Sequence, residues 1–588
     1  MSADTLEELV KELKDNHGFS DGSISLLKDK GLGEDEFSKL LEIMMLPDQT
    51  FSEWDGQKSW IEKALERAYS GEITTGRYNR YVKAFNEISS EQALVKGRMM
   101  GAVEYDIRIA ELLSKYPEYQ TLVSRPFTDS EKDDLRLIYT KFLTKDCLAV
   151  QLIEKKTNHD IVAANTWLTV LAQLYGMDDQ LMRGITHIAR TSSDLNTNVN
   201  GRLYMMAIGQ WTKSLSNLVG DFQQKALRFP KLTCMAETHG QDAQLTTLGH
   251  IYANLTEQVK MHASPLLGKE KLIMDGKIAG AIGTEVDARA AFPNVDLSQM
   301  HKDIVENVFG LRYVRYGNDQ DCSNAALSQA LDVMVNVDYV VKKAATDLWM
   351  YASRGVLSKM TGKGESGSSL MPQKTNPFLA EGSEALMSIV SSMVNPIKEM
   401  IVSYREQGDL RRSITKREGF HPIMLSIIAM ERLREEIKKY EPNIVAIESE
   451  VYSSGPKVIS SAINTRLRAK GVPDAYDRIK DIVMRPYVRP EQIVSYISDL
   501  RVKGDISEDT ELEVIGMLRN VMDNENIMQQ LWNSTENRDA LIKRLYDVNQ
   551  SSRRLKLVGT AVSDTYQMAH NARKTQELLL RYGNQKCI

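Results

Sequence analysis

The sequence predicts a mostly α-helical protein, and three segments carry that expectation. From Asn324 to Arg354, Leu327, Leu331, Met334, Val341, Ala345 and Leu348 recur at three- and four-residue steps or multiples of them. That spacing lines side chains along one side of a helix. Gly355 follows as a stop signal, giving a helix of roughly 25–30 residues where about 11–12 is ordinary. A second pattern runs from Pro377 towards Tyr404 through Leu386, Ile389, Met393 and Ile397. Pro396 should bend it, because proline removes a backbone donor and crowds the preceding turn. A third starts near Thr247 and passes Leu255 and Val259 to about His262. Long helices with more than one apolar face belong in bundles or oligomer cores. Alternating strand patterns are few and short.

A chain of 588 residues has room for a large core and suggests three to four domains. Residues 1–70 read as a separate, charged, helical segment, punctuated by Gly31, Gly33 and Pro47-Asp48. It is either a packing extension or an accessory of an oligomer. From about Asn549 the chain is helical and polar and carries no motif. No internal repeat or low-complexity tract interrupts the pattern.

Composition excludes several function classes. Hydrophobic residues make up 42% and charged residues 26%, as in ordinary soluble globular proteins. A net charge of −5 offers no bulk attraction for nucleic acid or an anionic membrane. The first residues, MSADTLEELVKELKDNHGF, are acidic and amphipathic, unlike the basic and apolar regions of a secretory signal. By sequence, no apolar stretch reaches the length of a membrane span. Cys147, Cys234, Cys322 and Cys587 lack metal-ligand or redox spacing, so reduced thiols in a cytoplasm fit best.

The chemistry concentrates in a few short segments. In Gly364-Glu365-Ser366-Gly367-Ser368-Ser369-Leu370-Met371-Pro372-Gln373-Lys374-Thr375-Asn376-Pro377, glycines at 362, 364 and 367 predict a mobile approach. Asn376-Pro377 reads as the cap and first turn of the next helix. A lysine, an asparagine and a helix N-terminus beside two serines suit a carboxylate, because exposed N–H groups and the helix dipole favour an anion. By composition alone the segment reads more readily as a flexible loop followed by a capped helix. Thr238-His239-Gly240-Gln241 places a histidine where a proton donor near neutral pH is possible, though a lone histidine is more often structural. Thr157-Asn158-His159-Asp160 and His187-Ile188-Ala189-Arg190-Thr191-Ser192-Ser193-Asp194-Leu195-Asn196 are dense in hydroxyl, amide and carboxylate groups, which also make ordinary helix caps. Gly76-Arg77-Tyr78 is a weaker signal of the same kind.

Taken together these segments carry a resemblance. Gly367 to Pro377 matches the GSSxMPxKxNP signature of the fumarase/aspartase superfamily at every fixed position. Within it, GRY, TNHD, HxxxTSxDxN, THGQxAxxTTLG and GKIxGAxG (Gly276 to Gly283) resemble the bacterial-type adenylosuccinate lyase family and occur in its order. The resemblance covers about residues 70–430. It implies a three-domain, mostly α fold with a central long-helix bundle: a first lyase domain over 71–190, the bundle with the signature loop over 191–440, and a C-terminal helical domain and tail over 441–588; the N-terminal extension over 1–70 has no counterpart in the family.

The resemblance also implies a chemistry, β-elimination across the Cα–Cβ bond of a succinyl group with loss of fumarate and no metal or organic cofactor. Ser368 takes the role of general base, its alkoxide stabilised by Lys374 and the local field. Lys374 and Asn376 bind the succinyl carboxylates and the developing aci-carboxylate. His239 is implied as the general acid, with Glu381 as its carboxylate partner. His159, flanked by Asn158 and Asp160, lies near the leaving nitrogen. Thr191 and Ser192 hold a substrate carboxylate, Arg77 and Tyr78 contact a nucleotide-like portion, and Gln320 matches a substrate-binding glutamine. The expected partner is a small succinyl-amine substrate, with no nucleic acid and no membrane, in a homotetramer whose active sites each draw on three subunits.

One stretch departs from the family. Its phosphate-contacting pattern resembles R-[DT]-L-x-D-S with an arginine four residues after the serine; this chain reads Gly408-Asp409-Leu410-Arg411-Arg412-Ser413 and then Arg417. Ser413 and Arg417 are in place, but Gly408 cannot form the charge-assisted fork that arginine offers an oxyanion. Either Arg405, Arg411 or Arg412 compensates, or the leaving group is not adenosine monophosphate. Argininosuccinate, another aminosuccinate, and a catalytically silent homologue with residues 1–70 as a binding arm remain alternatives.

Overall fold

The computed structural model describes residues 6–46, 91–267, 272–362, 370–371, 373–485, 488–533 and 537–583. Arg77, Tyr78 and Ser368 therefore lie outside the described residues, as does most of the serine-rich half of the signature. The long helices organise the rest. Ser192–Arg228, Leu248–Leu267, Ala325–Ser353, Phe378–Val402, Phe420–Lys439 and Ser552–Gly583 pack side by side into one bundle. Among the described residues the strands form three two-stranded pieces, of which only the Thr233–Thr238/Gln241–Thr247 hairpin is longer than three residues.

The central periodicity is realised as expected. Ala325–Ser353 runs for 29 residues, and the chain leaves it through Gly355 at φ +74°, a conformation that glycine adopts without penalty. Leu327, Leu331, Met334, Val341, Ala345 and Leu348 are all buried along it. Phe378–Val402 starts just past the Asn376-Pro377 pair and continues as helix through Pro396. Its cap position is occupied by Pro377 without a side-chain cap, so Asn376 is not the capping residue expected from the sequence.

A second expectation needs correction. Phe378–Val402 is long and apolar enough, by length and composition, to cross a bilayer, yet only 28% of its most apolar window is buried in the chain. The helix is apolar on two sides. Val390, Val394 and Ile397 pack into the bundle, while Phe378, Ile389 and Val402 remain exposed.

Residues 6–46 pack onto the body of the chain. Leu6–His17, Asp21–Asp29 and Glu34–Met44 bury Leu13, Leu27, Phe37 and Leu40 against Thr144–Thr157 and Asp160–Leu174. Glu36 pairs with Lys156 at 2.8 Å, directly before Thr157-Asn158-His159-Asp160. The far end of the chain returns to the bundle. Ser552–Gly583 lies along Ser192–Arg228 and Leu248–Leu267 and buries Thr565, Ala569, Ala572, Thr575 and Leu579. Gly209 permits this approach, because a Cβ there would stand 3.1 Å from the Gly583 carbonyl oxygen. Non-helical dihedrals at Gly559 (φ 24°, ψ −97°) kink the helix as it turns onto the bundle.

Candidate active site

Helix Asp160–Leu174 begins where Asn158 leaves the preceding helix in the left-handed conformation (φ 49°) and His159 takes the cap position. His159 Nδ1 accepts from the Ile161 amide at 3.2 Å, which leaves a half-exposed ring facing outwards. Asp160 accepts from Arg98 Nη2 at 2.5 Å and from Arg417 Nη2 at 3.3 Å. Burial would raise the Asp160 carboxyl, but Arg98, the Ile161 amide and Arg417 outweigh it and hold the group below the ordinary range. Arg98 also donates from Nε to Asn196 Oδ1 at 2.9 Å. One buried guanidinium thus ties the TNHD segment to the TSxDxN segment, and Arg417 joins them from a third element.

The TSxDxN segment opens the 37-residue helix Ser192–Arg228, whose N-terminal dipole points at this cluster. The Thr191 amide donates to Asp194 Oδ2 at 2.9 Å. Asp194 also accepts from the amides of Ala279 (3.0 Å) and Gly280 (3.1 Å) and pairs with Lys277 Nζ at 3.1 Å, both side chains being fully buried. Asn198 completes the join, exchanging hydrogen bonds with the Lys277 backbone at 2.7 and 3.0 Å. The GKIxGAxG segment is therefore docked on the helix start that presents Thr191 and Ser192. Ahead of it, His187 and Ala189 both have positive φ (69° and 52°). Burial and the adjacent Arg190 push the His187 imidazole down to about 4, so that ring is neutral at physiological pH.

The Gly408 departure has a steric counterpart. The Gln320 amide donates to the Gln407 carbonyl at 3.0 Å, and a Cβ at Gly408 would stand 2.6 Å from Gln320 Oε1 and 2.8 Å from its Cβ. Gln320 fills the space that a side chain at 408 needs. Arg411 is held by Asp409 at 2.7 and 2.9 Å. Arg412 is buried, its guanidinium 3.5 Å over the Tyr404 ring and Nη2 donating to the Gln407 carbonyl at 3.4 Å. Arg405 is exposed, while Ser413 and Arg417 lie on the short helix Leu410–Glu418. Beneath that helix, Asp321 accepts from Thr197 Oγ1 at 2.6 Å and from Lys416, and burial of its carboxyl is outweighed by Lys416, which lowers it to about 2.

His239 sits apart from this cluster, at the tip of the hairpin. Thr238 pairs with Gln241, so His239 and Gly240 are the two turn residues, and both have positive φ (56° and 70°). That is the primed turn favoured by the strand twist. Its imidazole is exposed. Glu381 accepts from Trp349 Nε1 at 3.1 Å, and among the described residues no hydrogen bond or ion pair joins it to His239. Lys374 is exposed, and the Asn376 carbonyl accepts from Lys359 Nζ at 2.9 Å. Lys359 is itself buried and paired with Glu436 at 2.9 Å, which pins the signature segment where it enters its helix.

Sequence reasoning did not single out Arg98, Asp194, Lys277, Asp321, Lys416 or Arg354. Asp194 and Lys277 lie inside quoted motifs, so their spacing was a usable signal. Arg98, Asp321, Lys416 and Arg354 lie in no motif, and folding alone reveals what they hold.

The chain is similar to known proteins in sequence and in fold. A family model described as Lyase matches residues 76–393, more than half of the chain, and one described as Adenylosuccinate lyase C-terminal matches residues 404–515. The adenylosuccinate lyase of Dictyostelium discoideum is 26% identical over 453 residues, covering 74% of this chain and 93% of that protein. That of Haemophilus influenzae is 25% identical, covering 73% and 91%. Among solved structures, the 3-carboxy-cis,cis-muconate lactonizing enzyme of Pseudomonas putida superposes with a TM-score of 0.60 at 15% identity, over 85% of this chain and all of that one (100%). A fumarate lyase from Mesorhizobium sp. BNC1 gives 0.55 at 11%, over 83% and 97%. At these identities the structural likeness concerns the fold.

Proposed function

The chain belongs to the lyase family matched across residues 76–393, and from that premise we propose that it cleaves a C–N bond by β-elimination and releases fumarate, with adenylosuccinate as substrate. The succinyl-carboxamide intermediate of purine synthesis is the companion substrate. The observation that carries this reading is the Gly367–Pro377 signature, set in a chain that aligns over nearly the full length of adenylosuccinate lyases.

In this reading Ser368 removes the Cβ proton. The electron pair left behind delocalises into the neighbouring carboxylate, whose extra charge falls to Lys374, Asn376 and the opening turn of Phe378–Val402. The pair then forms the Cα–Cβ double bond, the C–N bond breaks, and His239 delivers a proton to the departing nitrogen. Glu381 orients His239 across the subunits that share a site, since the two do not meet within one chain. His159 faces the leaving group from the cap of its helix, its neighbour Asp160 fixed between Arg98 and Arg417. Thr191 and Ser192 hold the second carboxylate at the N-terminus of Ser192–Arg228. Arg77, Tyr78, Ser413 and Arg417 receive the nucleotide.

A cytoplasmic homotetramer with shared sites belongs to the same reading. Two features support the assembly. Tyr339, Trp349, Met350, Phe378, Ile389 and Val402 leave an apolar surface on the two central helices uncovered in the single chain. His239, on its exposed hairpin tip, is separate from the Arg98–Asp160–Arg417 cluster. A second substrate reading, another aminosuccinate, is favoured by Gln320 filling the space beside Gly408.

Purified protein should be mixed with adenylosuccinate and, separately, argininosuccinate, following fumarate release with Ser368→Ala as control. Fumarate from adenylosuccinate, lost in the variant, supports the first reading. Turnover of argininosuccinate alone selects the second. Turnover of neither, across a wider panel of aminosuccinates, leaves the silent-homologue alternative.

A further inference from the structure

The hairpin that carries His239 is anchored at two levels. At its base the Thr233 amide donates to Asn549 Oδ1 at 2.5 Å and the Thr233 carbonyl accepts from Asn549 Nδ2 at 2.9 Å. One carboxamide thereby supplies both hydrogen bonds that a neighbouring strand would. Asn549 Nδ2 also donates to Glu448 Oε1 at 2.6 Å, and Glu448 is gripped by Arg554 Nη1 at 2.7 and 2.8 Å, with both side chains fully buried. Nearer the tip, the strand pairing shifts between Ala236 and Glu237, a bulge that re-aims the residues beyond it. Arg354 meets the chain at that point. Its Nη1 pairs with Glu237 Oε1 at 2.8 Å, while Nε and Nη2 donate to the two oxygens of Glu450 at 3.1 and 3.2 Å. Arg354 is the C-cap of the 29-residue central helix and Glu450 lies on Ile444–Val458, so two rigid elements hold the bulge.

We infer that Arg354 is a positioning residue for His239: by strapping Glu237, two residues before the turn, to Glu450, it sets where the hairpin tip presents the imidazole. The inference rests on the proposed role of His239 as proton donor. A planar guanidinium suits the task because it donates to two carboxylates in fixed directions, which the point charge of lysine does not reproduce. Without the strap the tip keeps its turn and its base anchor but loses the contact that fixes its angle. A displacement of the order of 1 Å in a reacting group costs about 100-fold in rate.

The test uses the full-length protein and four variants: Arg354→Met, Arg354→Lys, Glu237→Gln and His239→Gln, each checked for assembly by size-exclusion chromatography. Arg354→Met and Glu237→Gln should lower kcat by about 10- to 100-fold, leave KM within about twofold of the parent, and shift the pH-profile limb that His239→Gln abolishes; Arg354→Lys should recover part of the loss. In the His239→Gln background, Arg354→Met should bring no further loss, because it acts through the missing imidazole. Equal fold losses in both backgrounds, a raised KM with unchanged kcat, or parental kcat in both Arg354→Met and Glu237→Gln overturns the inference. Parental activity of His239→Gln instead removes the proton-donor assignment itself, so the two failures are distinct. Should Arg354→Met fail to assemble, the isosteric Glu237→Gln decides alone.

Discussion

Asp338 should make the protein less stable as pH rises, and Asp338→Asn should remove that dependence. The carboxyl is fully buried on the central helix Ala325–Ser353. Ser426 Oγ donates to its Oδ1 at 2.7 Å, Trp211 Nε1 donates to that hydroxyl at 2.8 Å, and among the described residues Oδ2 has no partner. Burial lifts the group from 3.8 to about 8 against the opposing Ser426 hydrogen bond, and no cation among the described residues offsets it. Below pH 3.8 folded and unfolded chains both hold the proton, so the residue contributes no pH dependence. Between 3.8 and about 8 the unfolded chain releases the proton while the folded chain keeps it. Stability then falls by about 1.4 kcal/mol per pH unit, or about 4 kcal/mol from pH 5 to pH 8. The loss levels off once the folded group also ionises. Asparagine has the shape of the protonated acid, keeps an oxygen for Ser426 and cannot ionise. Urea denaturation of both proteins at one protein concentration, from pH 5 to 8, cancels every other titrating group in the difference between them. The variant should gain steadily on the parent as pH rises. Two curves that stay parallel across this range would refute the reasoning.

The remaining expectations concern the candidate site. Lys277→Met strands the buried Asp194 carboxylate without its cation and should lower stability by about 3–5 kcal/mol, read as a fall in the urea midpoint, and raise KM through the Thr191–Ser192 turn. Gly408→Arg should weaken substrate binding rather than restore the family pattern, because the new Cβ meets Gln320 Oε1 at 2.6 Å and its Cβ at 2.8 Å; adding Gln320→Gly, which removes both atoms, should recover binding, and a gain of affinity by Gly408→Arg alone would refute the steric account. His187, held down to about 4 chiefly by burial, refuses a proton that the unfolded chain takes up near pH 6.5. It should therefore cost stability as pH falls from 6.5 towards 4. His187→Gln should flatten that acid limb, and NMR titration should find no His187 protonation above pH 5.

Local chemistry decided much of this protein before folding. The apolar spacing from Leu327 to Leu348 needs only helical geometry to become one buried stripe, so the central helix and its Gly355 stop were legible. The signature from Gly367 to Pro377 and the TNHD and TSxDxN segments were legible as motifs because each gathers its candidate polar groups within a few residues. Pairings across long sequence distances were not. Arg98 reaches Asp160 and Asn196, Lys277 reaches Asp194, and Arg354 reaches Glu237 and Glu450. A buried charge must find its partner wherever the fold brings one, and no local pattern records that requirement. The polar-looking C-terminal tail shows the same limit. Thr565, Ala569, Ala572 and Thr575 carry little hydrophobic signal, yet small side chains are what close packing against Ser192–Arg228 requires. The family chemistry was therefore written in short motifs, while the support for His239, the fit of Gln320 against Gly408 and the place of the tail were decided by tertiary structure, where shape and desolvation act between segments hundreds of residues apart.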